Sequence, residues 1–132
     1  MRSPGDRSRE RRSQDRQSLG RAGEDEAAAY LARRGYRLLA RNVRAAGVEL
    51  DLVVERAGVV VFVEVKTRRS RWLGAPEAAV DARKQARLVR GGAAWLREHR
   101  PHARRARFDV ISCEPRRAGD WRLTHLEAAF EA

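Results

Sequence analysis

Cysteine occurs once in the 132 residues, at Cys113. An intrachain disulfide and a thiolate-held metal cluster are thereby excluded, and a reducing, cytoplasmic setting is expected. Long apolar runs are missing too. None approaches the roughly 18 residues needed to cross a bilayer, and the charged, Ser-rich start lacks the apolar stretch of a secretory signal. A soluble protein without membrane association is expected. Phosphate-cradling glycine loops, the dinucleotide-binding glycine pattern and a serine-nucleophile elbow are all absent. His99, His102 and His125 have neither metal-ligand spacing nor a nucleophile motif beside them, and no role is assigned to them. Lysine is nearly missing: only Lys66 and Lys84 stand among 29 basic residues, the remainder being arginine.

What is abundant is positive charge. The 29 Lys and Arg outweigh 18 Asp and Glu, giving a formal charge of +11. Such a surplus suits a polyanion, because each phosphate neutralised by a cation releases counterions. Nucleic acid is the expected partner; charge alone also admits an acidic membrane surface or an acidic protein. Charge says nothing about fold, but length does, and a chain of this size makes one domain with a real core. Residues 1–17 hold one large apolar side chain, Met1. They are read as a disordered basic tail, followed by a domain over residues 18–132.

Within that domain a helix is expected from about Leu19, with Ala27, Ala28 and Leu31 on one face and Gly35 at its C-terminal cap. Glu24 falls on that apolar face, an odd place for a carboxylate. A short strand follows at residues 36–41, then a turn through Asn42 and Gly47. Residues 48–54 alternate, with Leu50 and Leu52 expected on one side and Glu49 and Asp51 on the other. Residues 59–66 begin as a near-continuous apolar run, the pattern of a strand covered on both faces. A basic loop ends at Pro76, and a helix is expected from about Glu77 to Glu98 with Val80, Leu88, Trp95 and Leu96 as its apolar side. Gly91 and Gly92 within it imply either a close approach to the sheet or a break. Strands at residues 107–113 and 121–125 complete the order α-β-β-β-α-β-β, an α/β fold with a mixed central sheet flanked by helices.

The chemistry concentrates on one hairpin. With a loop of Ala57-Gly58, Asp51 lies opposite Glu64; with Arg56-Ala57, it lies opposite Phe62 and diagonal to Glu64. Either register puts Asp51, Glu64 and Lys66 on one face, and directly opposed Cβ atoms are only about 4.5–5.5 Å apart. Two carboxylates that close, at the end of an apolar strand, repel unless something compensates. Mg²⁺ or Mn²⁺ does so, since Mg²⁺ favours one or two carboxylates with waters and phosphate oxygens. Lys66 adds a compact ammonium whose pKa can move on burial, unlike a guanidinium. These are the parts of metal-dependent phosphodiester hydrolysis. Glu49 is a possible supporting ligand. Arg68, Arg69, Arg71 and Trp72, cations interleaved with an aromatic, suit phosphate contact and base stacking. Lys84 either reaches phosphate or lies along the apolar margin of its helix. Arg107 and Asp109 read as a structural pair.

Asp51 followed by Glu64-Val65-Lys66 resembles the PD-(D/E)xK signature of restriction-endonuclease-like nucleases, with Leu50 in place of the proline. From Gly20 to about residue 130 the chain resembles the YraN family of small bacterial proteins. The resemblance is carried by Gly20, Gly23 and Glu24; Gly35-Tyr36 with Arg41-Asn42; Gly47, Glu49 and Asp51; and Phe62 through Lys66. Gly74, Pro76, Lys84, Arg107-Phe108-Asp109 and Ala129-Phe130 also fit, while the tail has no counterpart. It implies a restriction-endonuclease-like fold similar to archaeal Holliday-junction resolvases, which pair a helix-borne Glu, here Glu24, with the strand carboxylates. It further implies that Asp51, Glu64 and the Val65 carbonyl ligate the metal and that Lys66 assists the attacking water. The expected activity is that of a metal-dependent endonuclease on structured DNA, as a symmetric dimer if both strands of a junction are cut. A non-catalytic nucleic-acid-binding module of the same fold is the alternative, and a basic adaptor for another protein is a third.

Overall fold

The computed structural model describes residues 4–69, 80–99 and 101–130. Helix α1 (Pro4–Arg33) leads into three antiparallel strands, β1 (Arg37–Ala45), β2 (Val48–Arg56) and β3 (Val59–Thr67). Helix α2 (Ala82–His99) then crosses to β4 (Arg105–Pro115), and a single 3₁₀ turn (Arg117–Gly119) precedes β5 (Trp121–Phe130). The five strands form one sheet in the order β1-β2-β3-β4-β5. Only β3 and β4 run parallel, as expected of two strands joined by a helical crossover. The fold is the expected α/β arrangement, with a mixed sheet between two helices.

The two faces of the sheet bury two separate cores. Ala27 and Leu31 of α1 pack with Leu52, Val54, Val61, Val63 and Ile111. Leu88 and Trp95 of α2 pack with Leu50, Val53, Val60, Phe62 and Phe108. Strand β3 feeds both, which is why its sequence is almost uninterrupted Val and Phe.

Several element boundaries differ from the sequence reading. Helix α1 begins at Pro4, so residues 4–17 continue the helix instead of forming a disordered tail, although their side chains from Gly5 onward are exposed. Their Arg, Glu and Gln content favours helix, and the packed turns beyond Leu19 supply the nucleus that a short isolated helix lacks. Its other end follows expectation: Gly35 takes φ +86°, and the Tyr36 N–H donates to the Leu31 carbonyl. Strand β1 runs on to Ala45 where a turn was expected from Asn42; the turn is the tight Ala46-Gly47 pair, both at positive φ. Helix α2 starts at Ala82, not Glu77, because Asp81 caps it, its Oδ1 accepting the Lys84 N–H at 2.8 Å. Residues 77–79 lie outside the described residues. Gly91 and Gly92 mark a close approach and no break. A Cβ on Gly91 would stand 2.9 Å from Val48 Cβ, and one on Gly92 would stand 3.0 Å from Phe108 Cζ.

Candidate active site

The loop of the β2–β3 hairpin is Ala57-Gly58, with Arg56 opposite Val59. The ladder runs from there to Leu52↔Val63 and goes no further. Beyond that point β3 stays paired with β4 as far as Thr67↔Cys113, and β2 stays paired with β1 as far as Val48↔Ala45. The two strands therefore fork where Asp51 and Glu64 stand.

Strand β2 changes its facing at the fork. Leu50 packs in the core under α2, while Leu52 packs in the core under α1. Two residues that should share a face lie on opposite sides, so the expectation that Leu50 and Leu52 face one way and Asp51 the other is corrected. The irregularity is shared with β1, where Asn42 takes φ +52° between the pairs Arg41↔Leu52 and Val43↔Leu50. The turn of the backbone aims Asp51 along the sheet toward β3. Its Oδ2 accepts the Val65 N–H at 2.9 Å, a donor that the interrupted ladder leaves without a strand partner.

Glu64 is 7% exposed. Its Oε1 lies 2.6 Å from Lys84 Nζ and 3.4 Å from Lys66 Nζ. The lysines that the composition set apart thus converge on one buried carboxylate, Lys66 from the end of β3 and Lys84 from the first turn of α2. Lys84 neither snorkels along its helix nor stands clear of the centre; it belongs to it.

Glu24 reaches the fork from α1. A recess of about 380 Å³ on that side is lined by Arg16, Glu24, Asp51, Glu64, Val65 and Lys66 among others. Glu24 comes this near because Gly23 lies against β3: a Cβ there would collide with the Thr67 side chain. The Gly23 carbonyl also accepts the Cys113 thiol at 3.4 Å. Glu24 Oε1 stands 3.4 Å from Arg41 Nε, within ion-pair range, yet it is buried and accepts no hydrogen bond from the described residues. On the α2 side a second recess of about 250 Å³ is lined by Glu49, Asp51, Glu64, Lys84 and Arg87 among others. Asp51 and Glu64 line both recesses, so the fork opens to both faces of the sheet.

The electrostatics are those of a crowded acidic centre. Burial, reinforced by Glu64, pushes the Asp51 carboxyl up to about 7, against the lowering effect of the Val65 N–H. Burial and the adjoining Lys84 lower Lys66 below the ordinary lysine value. Burial works against charge on Lys84 as well, but its contact with Glu64 prevails and raises it.

Of the residues marked by sequence, Glu24, Asp51, Glu64, Lys66, Lys84 and the backbone of Val65 come together. Glu49 is exposed at the rim of the α2-side recess. Arg68 is half-buried just past the fork, its N–H donating to the Cys113 carbonyl at 2.9 Å, and Arg69 is exposed. Arg71 and Trp72 lie outside the described residues. Sequence reasoning missed Arg41, the partner of Glu24, and Arg16, which it placed in the tail. Helical spacing back from Glu24 carries the signal for Arg16; Arg41 is marked in the chain through the Arg41-Asn42 match, but its contact with Glu24 crosses between elements and local patterns do not show it.

His125, given no role from sequence, is part of a separate buried network. Its Nε2 lies 2.7 Å from Asp109 Oδ2, and its Nδ1 lies 3.1 Å from the Tyr30 hydroxyl. Arg107 donates to both Asp109 oxygens and to the Tyr36 hydroxyl, and the Ala128 N–H donates to Asp109 Oδ1 at 3.0 Å. Burial opposes the charge of Asp109, but these donors hold its carboxyl below the usual carboxylate range. The network ties α1, β4 and β5 together, as the structural reading of Arg107 and Asp109 anticipates.

Among the described residues no group of three or more His, Cys, Asp or Glu side chains is gathered as a metal cage. No helix among them is long and apolar enough to cross a membrane.

Comparison with known proteins agrees with the motifs. Residues 23–113 match the family described as "Uncharacterised protein family UPF0102". A UPF0102 protein of Trichlorobacter lovleyi is 44% identical over 116 residues, covering 87% of this chain and 91% of its own length. One from Symbiobacterium thermophilum is 46% identical over 114 residues, covering 86% and 97%. One from Pelobacter propionicus is 40% identical over 137 residues, covering 99% and 98%. That last match takes in nearly all of the first seventeen residues, so the N-terminal segment does have a counterpart, contrary to the sequence reading. With more than two thirds of both chains aligned at this identity, the chain belongs to the UPF0102 family.

Proposed function

We propose that the β2–β3 fork is the centre of a metal-dependent phosphodiesterase acting on nucleic acid, with structured DNA as its expected substrate. The observation that carries the reading is the convergence of Asp51, Glu64, Lys66 and Glu24 where two strands part. Elsewhere in a sheet, a half-buried carboxylate beside a buried one is only destabilising; here the backbone is bent to hold Asp51 and Glu64 so.

The donors fit a hard divalent cation. Asp51 and Glu64 both offer carboxylate oxygens, and burial, reinforced by Glu64, lets Asp51 hold its proton up to about 7. Glu24 Oε1 is buried without a hydrogen bond from the described residues. Mg²⁺ or Mn²⁺ keeps waters and takes phosphate oxygens beside one or two carboxylates, the number that Asp51 and Glu64 would supply. Asp51, Glu64 and the Val65 carbonyl would hold the ion, which supplies polarisation of a phosphoryl oxygen and a more acidic water.

The protein's own groups do the remaining work. Lys66, its proton affinity lowered by burial, is placed to orient the attacking water and to stabilise charge gathering on the phosphorane. Water's oxygen forms the new bond to phosphorus as the P–O bond to the leaving nucleotide breaks, the water giving up one proton and the leaving oxygen taking one from solvent. Lys84 holds Glu64 in place and limits its repulsion of the incoming phosphate. Arg68 and Arg69 follow directly on β3 and are proposed to meet a phosphate backbone, with Arg71 and Trp72 extending that contact. A centre that cuts both strands of a junction is served by a symmetric pair of subunits.

One observation favours a second reading. Lys66 and Lys84 already bring two ammoniums to Glu64, so the centre is partly compensated without metal, as a binding module that does no hydrolysis would require. Incubation with labelled duplex, single-stranded and four-way-junction DNA and structured RNA, in Mg²⁺, Mn²⁺ or EDTA, separates the two. Product that needs metal supports the phosphodiesterase and names its substrate; salt-sensitive binding with no product in any metal supports the binding module.

A further inference from the structure

Helix α1 is twice as long as its packing explains. Arg9, Arg12, Arg16, Gly20, Gly23 and Ala27 succeed one another at intervals of three or four residues, which at about 3.6 residues per turn places them on one stripe. Along that stripe burial falls steadily toward the N-terminus: Ala27 is 0% exposed, Gly23 is buried, Gly20 is half-buried, and the arginines are exposed. The side of α1 that packs on the sheet is thus the side on which the arginines stand once the helix has passed the sheet's edge. Arg16 lines the recess with Asp51, Glu64 and Lys66, so the stripe starts inside the candidate active site and leads outward. A helix built only for solubility has no reason to keep cations on the face that points along the cleft.

We infer that the N-terminal half of α1 is a phosphate-tracking arm, whose Arg9, Arg12 and Arg16 hold the backbone of the nucleic-acid strand running to the fork. The inference rests on the phosphodiesterase reading for what lies at the fork. From Arg9 to Arg16 the helix rises about 10 Å, comparable with the axial rise of about three phosphate-to-phosphate steps on one strand. Asp6, Glu10 and Asp15 fall to the sides of the stripe by the same helical count, and Arg7 and Arg11 fall on its far side.

That geometry provides a matched control. Arg9→Gln/Arg12→Gln and Arg7→Gln/Arg11→Gln remove equal charge from the same helix on opposite faces. Binding of each full-length protein to labelled duplex DNA is measured by fluorescence anisotropy in EDTA over a salt series, with circular dichroism to confirm equal helix content. The stripe variant is expected to bind about tenfold more weakly, with the slope of log affinity against log salt reduced by nearly two, since each lost phosphate contact removes about 0.9. The far-face variant is expected to stay within about twofold of the parent. Equal losses in both variants, or no loss in the stripe variant, would overturn the arm, as would a parent protein that does not bind DNA at all. Because no metal is present, the result stands whether or not the fork proves hydrolytic.

Discussion

Asp51 combines a conformational cost with an electrostatic one. It sits where β2 loses its alternation, accepts a main-chain N–H from the neighbouring strand, and is pushed up to about 7 by burial and by Glu64. An acid whose folded value is raised contributes its full stability below the unfolded value of about 4 and loses it as pH rises through the folded value. In metal-free protein, Asp51→Asn is therefore expected to melt several degrees higher than the parent at pH 8, with the gap closing toward pH 4. Thermal melts in EDTA across that range check this. A variant less stable than the parent at pH 8 would show that Asp51 is a structural anchor. Lys66 and Lys84 are the complementary case: in a chain that otherwise uses arginine, two flexible ammoniums are placed where a planar guanidinium cannot share one carboxylate oxygen so closely.

At the scale of the element, Gly23 sets the height of α1 above the sheet and thereby the position of Glu24. Gly23→Ala forces the helix off Thr67, which overpacking costs put at about 1–3 kcal/mol. A lower denaturation midpoint together with weakened Mn²⁺ binding is expected; lost stability with unchanged Mn²⁺ affinity would detach Glu24 from the centre. The contrast between what the chain reveals and what it hides is sharpest among these elements. The β2–β3 hairpin, the run of β3 and the cap at Gly35 follow from local patterns, and with them the nearness of Asp51 to Glu64, although the choice between an Ala57-Gly58 and an Arg56-Ala57 loop does not. The fork does not, because the facing change between Leu50 and Leu52 depends on which helix each residue packs against. Nor does the length of α1: residues 4–17 lack the apolar stripe that periodicity seeks, and their helix is borrowed from the packed turns that follow. Asp81 as a cap was legible in principle, being an Asp before a helical run, but Pro76 offered a competing start.

The whole molecule is a strongly basic protein built around a small acidic centre. A charge of +11 gathers a polyanion, and a carboxylate cluster in its midst repels phosphate unless a cation mediates. That tension is sensible for an enzyme and wasteful for a simple binder. The most direct test follows binding and cleavage together, using labelled DNA with Mg²⁺ or Mn²⁺ and the parent protein beside Glu64→Gln and Lys66→Ala. Metal-dependent product is expected from the parent, with both variants binding DNA within a few-fold of it yet cutting at least about a hundredfold more slowly. Equal cleavage by parent and variants, or tight binding with no product from the parent in any metal, would contradict the account.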